Sequence, residues 1–379
     1  MKLISLGLAI FQFAMGELYA SPTIRVLIGS NLKQVSVSGL DLVKKASGKE
    51  KVYPGQKSFT FNCAPLKKHK SLKNPLLLTK ITSRTGLVSL ENSKYRGSIQ
   101  LVAPKSPKGC DVVNELSLET YIGSVLAKEM NPNWPIEALK AQAVAARSYA
   151  FFKIRKKRRS RPVTSNYYDL ENSEKHQVNG DFFDVTFNAS KAQRMTKGEV
   201  LSFKNQKLVP VFFHSKCGGK TRTPDQVWSN KVEGYESVEC KFCHNNGVKD
   251  WKKVLPKKKL YSAVDRALKY HRGLRLDSGV AKFKVAPGTQ DDTHIRVYDN
   301  DRLLSLKKSR VRSTLGRRYT LSNTFSVTDD ASSFTVQGRG FGHGVGLCQF
   351  GALEMAKRGY TYRQILKHYF PSLELKKIY

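Results

Sequence analysis

Acidic residues are scarce in this chain of 379 residues, and internal repeats and long apolar runs beyond its first 20 residues are missing. The 30 aspartates and glutamates stand against 66 lysines and arginines, which gives a formal net charge of +36. No apolar stretch after residue 20 is long enough to cross a bilayer, which excludes a multi-span membrane protein. No unit recurs along the chain, which excludes a solenoid of stacked repeats. A globular protein remains, because 40% hydrophobic residues in a chain of this length can bury a sizeable core.

The first 20 residues read MKLISLGLAIFQFAMGELYA, in which Lys2 precedes an apolar run and the segment ends on the small residue Ala20. This pattern is typical of a secretory signal peptide and predicts cleavage near Ala20. A buried strand or an uncleaved anchor is the weaker alternative, because the apolar run is short for a membrane span. We therefore expect a secreted or periplasmic protein without stable membrane insertion.

Basic residues occur in runs, and loss of residues 1–20 would leave the net charge at +36 because it removes one lysine and one glutamate. In a cytosolic protein such a surface would predict nucleic acid as the partner. Outside the cytoplasm the polyanions are cell-wall carboxylates, teichoic acids or lipopolysaccharide phosphates, to which the same Coulombic attraction applies. We expect anionic cell-wall polymers as partners and no nucleic acid. The alternative is that the runs are solvated faces without a dedicated partner. The runs cover residues 67–70, 153–161, 252–259 and 307–318.

Local patterns predict an α+β fold of mixed sheets, with a helical hairpin and a C-terminal glycine-rich loop followed by helices. Alternating β-branched and polar residues predict strands up to about residue 115. Ser117 is a suitable cap for a helix that Pro132 ends, and Pro135 suits the start of a second helix. Residues 279–337 are predicted to form strands and turns. The predicted segments are a signal peptide at 1–20, a β-rich region at 21–115 and a larger region at 116–379.

Glu129 lies at the end of the first predicted helix, close in sequence to Trp134. The negative end of the helix dipole disfavours the ionised carboxyl, and exclusion of water by the indole would favour the neutral form further. A neutral carboxyl is what a general acid needs in order to protonate a glycosidic oxygen. The alternative is an exposed glutamate paired with Lys128 or Lys140.

Four further residues are candidates for substrate binding. Arg147 and Tyr149 follow on the second helix, where the guanidinium of Arg147 can hold a carboxylate of a ligand; its alternative is a structural role on loop carbonyls. Alternating glycines around His343 leave little bulk to bury it, which favours a ligand-facing imidazole. Gln349 belongs to the same block.

The cysteine spacing predicts two uses. Cys63 and Cys110 stand alone in the N-terminal region and can bridge each other. A second group supplies one nitrogen and three sulfurs, which matches a tetrahedral structural zinc site. In an oxidising compartment a disulfide within this group is the alternative. The second group consists of His214, Cys217, Cys240 and Cys243.

Two segments resemble the signature blocks of the SpoIID (stage II sporulation protein D) family of peptidoglycan-cleaving enzymes. They are SVLAKEMNPNWPIEALKAQAVAARSYA at 124–150 and GRGFGHGVGLCQFGALEMAKRGY at 338–360. The resemblance spans roughly residues 112–379 and implies that this region is catalytic, with Glu129 as its catalytic residue. Some members of the family bind zinc near the catalytic glutamate through cysteines and a histidine of an FHS segment. The resemblance therefore implies that His214, in the FHS segment of this chain, and nearby cysteines can hold zinc. Cys348 stands where members commonly have Ser, which implies a small buried residue.

Ordinary glycoside hydrolysis uses two carboxylates, and a second one is not obvious here. Glu137 lies nearest to Glu129 along the chain. Asp169 and Asp225 are distant in sequence and would act with Glu129 only if folding brought them close to it. The resemblance implies a lytic transglycosylase, in which one glutamate acts as acid and then as base while the C6 hydroxyl of the sugar replaces water. Lysozyme-like hydrolysis stays open.

We therefore expect an exported, monomeric enzyme that cleaves peptidoglycan glycan strands, with no cofactor for catalysis and a structural zinc. The basic composition also resembles that of secreted SpoIID-like lysozymes of predatory bacteria, which implies a preference for deacetylated glycan. The alternative is a noncatalytic wall-binding protein that modifies an amidase. A third hypothesis, nucleic-acid binding, predicts salt-sensitive duplex association.

Overall fold

The computed structural model describes residues 21–68, 71–159, 166–173, 177, 184–243, 250–286 and 293–379. The predicted signal peptide lies outside the described residues, as do the ends of two basic runs at 69–70 and 160–161. The described chain combines helices with several separate sheets, which confirms the predicted α+β class. None of its helices combines the length and apolar character that a membrane crossing requires.

The N-terminal part forms one large, mainly antiparallel sheet. Alternate residues such as Val35 and Val37 point into its core, as a period of two requires. The order of neighbouring strands is β6-β5-β2-β4-β7-β8-β1-β9, and β3 pairs with β2. The strands are β1 (Thr23–Leu32), β2 (Gln34–Ala46), β3 (Lys49–Asn62), β4 (Leu76–Ser83), β5 (Leu87–Leu90), β6 (Ser93–Arg96), β7 (Ser98–Ala103), β8 (Cys110–Ser117) and β9 (Leu170–Glu171).

A disulfide joins Cys63, just after β3, to Cys110 at the start of β8, with 5.5 Å between the Cα atoms. This confirms the predicted bridge. The disulfide closes a loop of 47 residues in sequence separation, and such a link suits a protein that folds outside the cytoplasm.

A helical hairpin follows β8 directly and consists of α1 (Leu118–Glu129) and α2 (Ile136–Arg159). The Ser117 hydroxyl accepts a hydrogen bond from the Thr120 backbone N–H at 3.1 Å, so the predicted cap is in place. Pro135 stands immediately before α2. Alanines and other small residues on α2 allow close packing against α1, α3 (Phe187–Met195), α7 (Gln349–Lys357) and α8 (Tyr362–Tyr369).

A second hydrophobic core is formed by residues 251–336, which lie in sequence between the hairpin and the glycine-rich loop. Its elements are β13 (Trp251–Pro256), α5 (Lys257–Arg272), β14 (Lys284–Val285), β15 (His294–Asp299), β16 (Arg302–Lys307), α6 (Lys308–Leu315), β17 (Thr324–Asp329) and β18 (Ser333–Arg339). The helix α6 was not expected, since residues 279–337 were predicted as strands and turns. It forms because Val311 and Leu315 bury one side of an otherwise basic segment.

Short elements complete the fold around the C-terminal end. They are β10 (Glu199–Phe203), β11 (Lys207–Leu208), β12 (Phe213–His214), α4 (Pro224–Val227), β19 (Leu347–Cys348) and β20 (Glu374–Lys377). Strand β12 pairs with β19 in parallel, which sets His214 opposite Cys348. Strand β10 pairs with both β11 and β20.

The glycine-rich loop reaches β19 through alternating left-handed residues. Gly340, Gly342, Gly344 and Gly346 all have positive φ angles, between 74° and 102°. A Cβ atom on Gly346 would lie 2.2 Å from the carbonyl oxygen of Phe212. Glycine is therefore required there by both the backbone angle and the close approach.

A buried ion pair ties the hairpin to the rest of the molecule. Arg147 is fully buried and donates to both carboxylate oxygens of Glu119 at 2.8 and 2.9 Å. It also donates to the carbonyls of Gln193 at 3.3 Å and Glu199 at 3.2 Å. The hydroxyl of Tyr379 donates to the same carboxylate at 2.5 Å. Burial and engaged donors favour the structural role of Arg147, which the sequence left open as the alternative to substrate binding.

Loss of this guanidinium should be strongly destabilising. We predict that Arg147→Ala lowers the free energy of unfolding by about 3–5 kcal/mol, because it leaves a buried carboxylate without its partner. Urea denaturation of the purified chain measures this. The control is Lys128→Ala, which breaks a half-exposed pair with Asp184 and should cost about 1 kcal/mol or less. Equal losses from the two substitutions would contradict the assignment.

The same pair predicts a pH dependence. Burial acts to raise the pKa of Glu119, but hydrogen bonds and charge from Arg147 outweigh it and lower the pKa. A depressed pKa in the folded state contributes stability above the unfolded value, which is lost as pH falls through the folded value. As pH falls, the free energy of unfolding should therefore decrease less steeply in Arg147→Ala than in the unaltered chain, which urea denaturation at a series of pH values measures.

Candidate active site and thiol cluster

Glu129 is the last residue of α1 and is half-buried. Met130 leaves the helix with an extended backbone, and its N–H still bonds the Leu126 carbonyl. The Gln349 side-chain amide donates to the backbone carbonyl of Glu129 at 3.1 Å. Two predicted site residues that lie 220 positions apart in sequence are therefore neighbours.

An aromatic pair stands beside this contact. The rings of Trp134 and Phe350 meet edge to face with 5.2 Å between centroids. The ammonium of Lys216, which is buried, lies 5.9 Å from the centroid of Phe350. Phe350 follows Gln349 directly, so one turn of α7 supplies both the amide that contacts the Glu129 carbonyl and the ring that contacts Trp134. Neither Phe350 nor Lys216 was expected, because nothing local in the sequence marks them.

His343 and Tyr149 lie together in a second group of rings. The Nδ1 of His343 accepts a hydrogen bond from the Val345 N–H at 3.0 Å, and the imidazole also bonds the backbone of Phe213. Burial, followed by repulsion from His214, lowers the pKa of His343 well below its usual value. The imidazole is therefore neutral near pH 7. It offers a ring surface rather than a positive charge.

Tyr149 is joined to that group through Phe212, with 5.8 Å between ring centroids. Its side chain is largely buried, and burial raises its pKa, so the phenol is neutral. Tyr149 and His343 both line one cavity.

His214 is held next to the glycine-rich loop. Its Nδ1 donates to the Val345 carbonyl at 3.1 Å, which leaves an acceptor lone pair on Nε2. In the described part of the chain that Nε2 is buried without a hydrogen-bond partner. Burial lowers the pKa of His214 to about 4, so this imidazole is also neutral.

Four buried thiols meet close to His214. The sulfur atoms of Cys217, Cys240, Cys243 and Cys348 all lie within 4.8 Å of one another. The predicted group had His214 as its fourth member, whereas the four sulfurs that lie together include Cys348. Cys348 joins the group because the parallel pairing of β12 with β19 brings residue 348 next to residue 214. Cys348 is fully buried, as expected of it, but it is a member of the cluster.

Donors surround these sulfurs. The backbone N–H groups of Cys217 and Gly351 each donate to the Cys348 sulfur at 3.4 Å. The Tyr369 hydroxyl is hydrogen bonded to the Cys240 sulfur at 3.1 Å. Hydrogen bonds from Cys217 and Cys240 lower the pKa of Cys243, whereas burial raises the pKa of Cys348 and hydrogen bonds within the cluster raise that of Cys217. Such donors stabilise thiolates, which are the form that binds a metal.

The donor set fits tetrahedral zinc. Zinc bonds thiolate sulfur at about 2.3 Å, which puts the four sulfurs about 3.8 Å apart. The observed group of four buried sulfurs is compact enough for that geometry, with 3.4 Å between the sulfurs of Cys217 and Cys243.

The chain is similar in sequence to a described protein family and to several known proteins. Residues 106–203, which contain α1 and α2, match the model of the family described as "SpoIID: Stage II sporulation protein". An uncharacterized protein of Brachyspira hyodysenteriae is 31% identical over 287 residues, which cover 76% of this chain and 73% of that relative. Stage II sporulation protein D of Bacillus subtilis is 28% identical over 275 residues, covering 70% of this chain and 76% of that protein.

A further relative is longer. The amidase enhancer of Bacillus subtilis is 28% identical over 338 residues, which cover 77% of this chain but 45% of the enhancer. This chain therefore spans less than half of that protein.

The cysteine assignment can be checked by counting thiols. We predict that alkylation of the denatured chain without reductant adds four labels, and that prior reduction raises the number to six. The first four belong to the cluster and the last two to the bridge of Cys63 with Cys110. Intact-mass spectrometry gives both counts, and peptide mapping locates the labels. Two labels or none before reduction would mean that the cluster is oxidised, against the arrangement described here.

Proposed function

This chain belongs to the SpoIID family, and from that premise we propose that it is a cell-wall enzyme that cleaves peptidoglycan glycan strands with Glu129 as general acid and base. The observation that carries the proposal is the position of Glu129. It ends α1, it is half-buried, and Gln349 from the glycine-rich block holds its backbone carbonyl. An exported location agrees with the disulfide and with the cell-wall role of the family.

In the proposed reaction the neutral carboxyl of Glu129 donates its proton to the glycosidic oxygen as the bond to the anomeric carbon breaks. The resulting carboxylate then removes a proton from the C6 hydroxyl of the same sugar, whose oxygen bonds to the anomeric carbon. The product is a 1,6-anhydro sugar, and Glu129 is neutral again. With water in place of the C6 hydroxyl, the same steps give lysozyme-like hydrolysis.

The surroundings of the other candidate acids support a mechanism with one carboxylate. Glu137 pairs with Lys140 at 2.7 Å and accepts a hydrogen bond from the Tyr362 backbone N–H. Asp169 is buried and pairs with Arg25 at 2.9 Å. Both of these acids hold the fold together, so a carboxylate pair that used either of them would require its release. The third candidate, Asp225, is exposed in α4, far along the chain from Glu129.

The substitution Glu129→Gln tests the enzyme directly. We expect it to bind isolated sacculi as before and to reduce release of soluble muropeptides by about 100-fold or more, because an amide cannot donate the proton. Glu374→Gln removes an exposed acid on β20 and should leave release unchanged. Equal release by the Glu129→Gln variant and the unaltered chain would refute the proposal.

Mass spectrometry of the products separates the two chemistries, since an anhydro sugar lacks one water relative to a reducing end. Parallel digests of natural and deacetylated sacculi measure the proposed preference for deacetylated glycan.

The alternative function is a noncatalytic wall-binding protein that modifies an amidase. The similarity to the amidase enhancer favours this alternative, as does the strongly basic composition. It predicts that no preparation of the chain releases muropeptides alone, while an added amidase works faster on sacculi that carry either the unaltered chain or Glu129→Gln.

We also propose that Cys217, Cys240, Cys243 and Cys348 hold one zinc ion with a structural role. Zinc would link the loop that follows β12 to the start of α7. It would thereby fix Gln349, which stands next to Cys348 and contacts Glu129. Bound zinc would also protect the four thiols from oxidation in a chain that carries a disulfide elsewhere.

Elemental analysis of the purified chain should find one zinc per molecule. Cys348→Ser should lose the zinc and lower the melting temperature, because a structural metal stabilises only the folded state. His214→Gln should keep the full complement of zinc, since His214 is outside the group of four sulfurs. Retention of zinc in Cys348→Ser together with its loss in His214→Gln would assign the fourth ligand to the imidazole instead.

A further inference from the structure

A large cleft opens between α2 and α6, on the side of the glycine-rich loop that carries His343. Its volume is about 1050 Å³, which is enough for more than one sugar ring. Residues 228–233 and the segment before β12 form its other walls. We call it the aromatic–basic cleft, after the two kinds of side chain that line it.

Aromatic rings form the base of the aromatic–basic cleft. Trp228 is 37% exposed, and its ring lies 4.7 Å from that of Phe212 and 5.0 Å from that of His343, between centroids. Tyr149 continues the surface on the far side of Phe212. A partly exposed indole held by other rings is a rigid platform that costs little entropy to use in binding.

A buried acceptor stands beside this platform. The Asn323 side chain lines the cleft, is 5% exposed, and donates from Nδ2 to the His343 carbonyl at 3.1 Å. Its Oδ1 has no hydrogen-bond partner among the described residues. An unpaired buried oxygen is costly, and a hydroxyl or amide N–H of a ligand would remove that cost.

The rim of the cleft is strongly positive. Seven lysines and arginines line it, against the single acidic residue Glu233. Glu233 is itself paired with Lys207 at 2.6 Å. Lys153 and Arg310 stand on opposite walls, on α2 and α6. Their charges attract a carboxylate carried by a ligand in the cleft.

The two walls are joined by direct bonds. The Arg310 guanidinium donates to the Ser229 hydroxyl at 3.1 Å, and the Ser309 hydroxyl donates to the Val227 carbonyl. These contacts fix α6 against the loop that carries Trp228, so the cleft is formed before a ligand arrives.

We propose that the aromatic–basic cleft binds a saccharide that carries a carboxylate, with a sugar ring on Trp228, a polar hydrogen on Asn323 and the carboxylate at the basic rim. Under the proposed function, on which the identity of the polymer rests, this ligand is the peptide-bearing sugar of the glycan strand. The free carboxylates of the stem peptide supply the negative charge. Specificity for that sugar would then come from the cleft rather than from Glu129.

Calorimetric titration with a purified disaccharide-peptide tests the cleft. The protein is the full chain with Glu129→Gln, which prevents turnover, and the ligand is used with its carboxylates free or amidated. Trp228→Ala should weaken binding of the free-acid ligand by about tenfold. Lys156→Gln removes an exposed cation that lines the cleft from α2. It should weaken binding of the free-acid ligand by about threefold at low salt and leave the amidated ligand unaffected.

Matched controls lie outside the cleft. Tyr270→Ala removes an aromatic ring that is 81% exposed, and Lys253→Gln removes an exposed cation; both should bind as the parent does. Circular dichroism checks that each variant is folded. Binding that falls with salt but is unaffected by Trp228→Ala reports general surface charge and overturns the proposal. Equal affinity for the free and amidated ligands also overturns it.

The outcome for the cleft is separate from the outcome for the enzyme. If affinity depends on Trp228 but the unaltered chain never releases muropeptides, the proposed binding in the cleft is supported and the proposed catalysis is rejected. Release of muropeptides with affinity independent of Trp228 would do the reverse.

Discussion

The buried ion pair between Arg147 and Glu119 is the constraint on which the rest of this structure depends. A guanidinium without access to water is tolerated only when its donors are engaged, so both helices of the hairpin must meet at one position. The carbonyls of Gln193 and Glu199 and the hydroxyl of Tyr379 are drawn to the same point. Glu129 stands ten residues further along α1, about 15 Å from this anchor at the rise of an α-helix.

A second constraint is the parallel pairing of β12 with β19. It requires the glycine-rich loop to approach the segment at 212–218 closely, which positive φ angles make possible. One short loop then serves three purposes, since it carries His343 to the aromatic–basic cleft, Cys348 to the thiols and Gln349 to Glu129. The proposed zinc, the proposed cleft and the proposed catalytic acid are thereby linked through a few residues of backbone.

Local signals predicted the hairpin well. The Ser117 cap, the break at Pro132 and the start at Pro135 are short-range effects, and the two helices begin one residue after Ser117 and Pro135. The bridge of Cys63 with Cys110 was also predictable, because two isolated cysteines in one β-rich region have few other partners. The helix α6 was missed because its segment is mostly basic, and two apolar residues are a weak periodic signal.

The sequence by itself determined the α+β class, the place of Glu129 at a helix end, the excess of positive charge and the number of cysteines. Only the tertiary structure decided that Arg147 is buried, that Cys348 joins the thiol cluster, and that Trp228 and Asn323 share a cleft with His343. The reason is one of range. Caps, turns and periodicity act over a few residues, whereas Arg147 meets Glu119 across 28 positions, Cys217 meets Cys348 across 131, and Tyr379 meets Glu119 across 260.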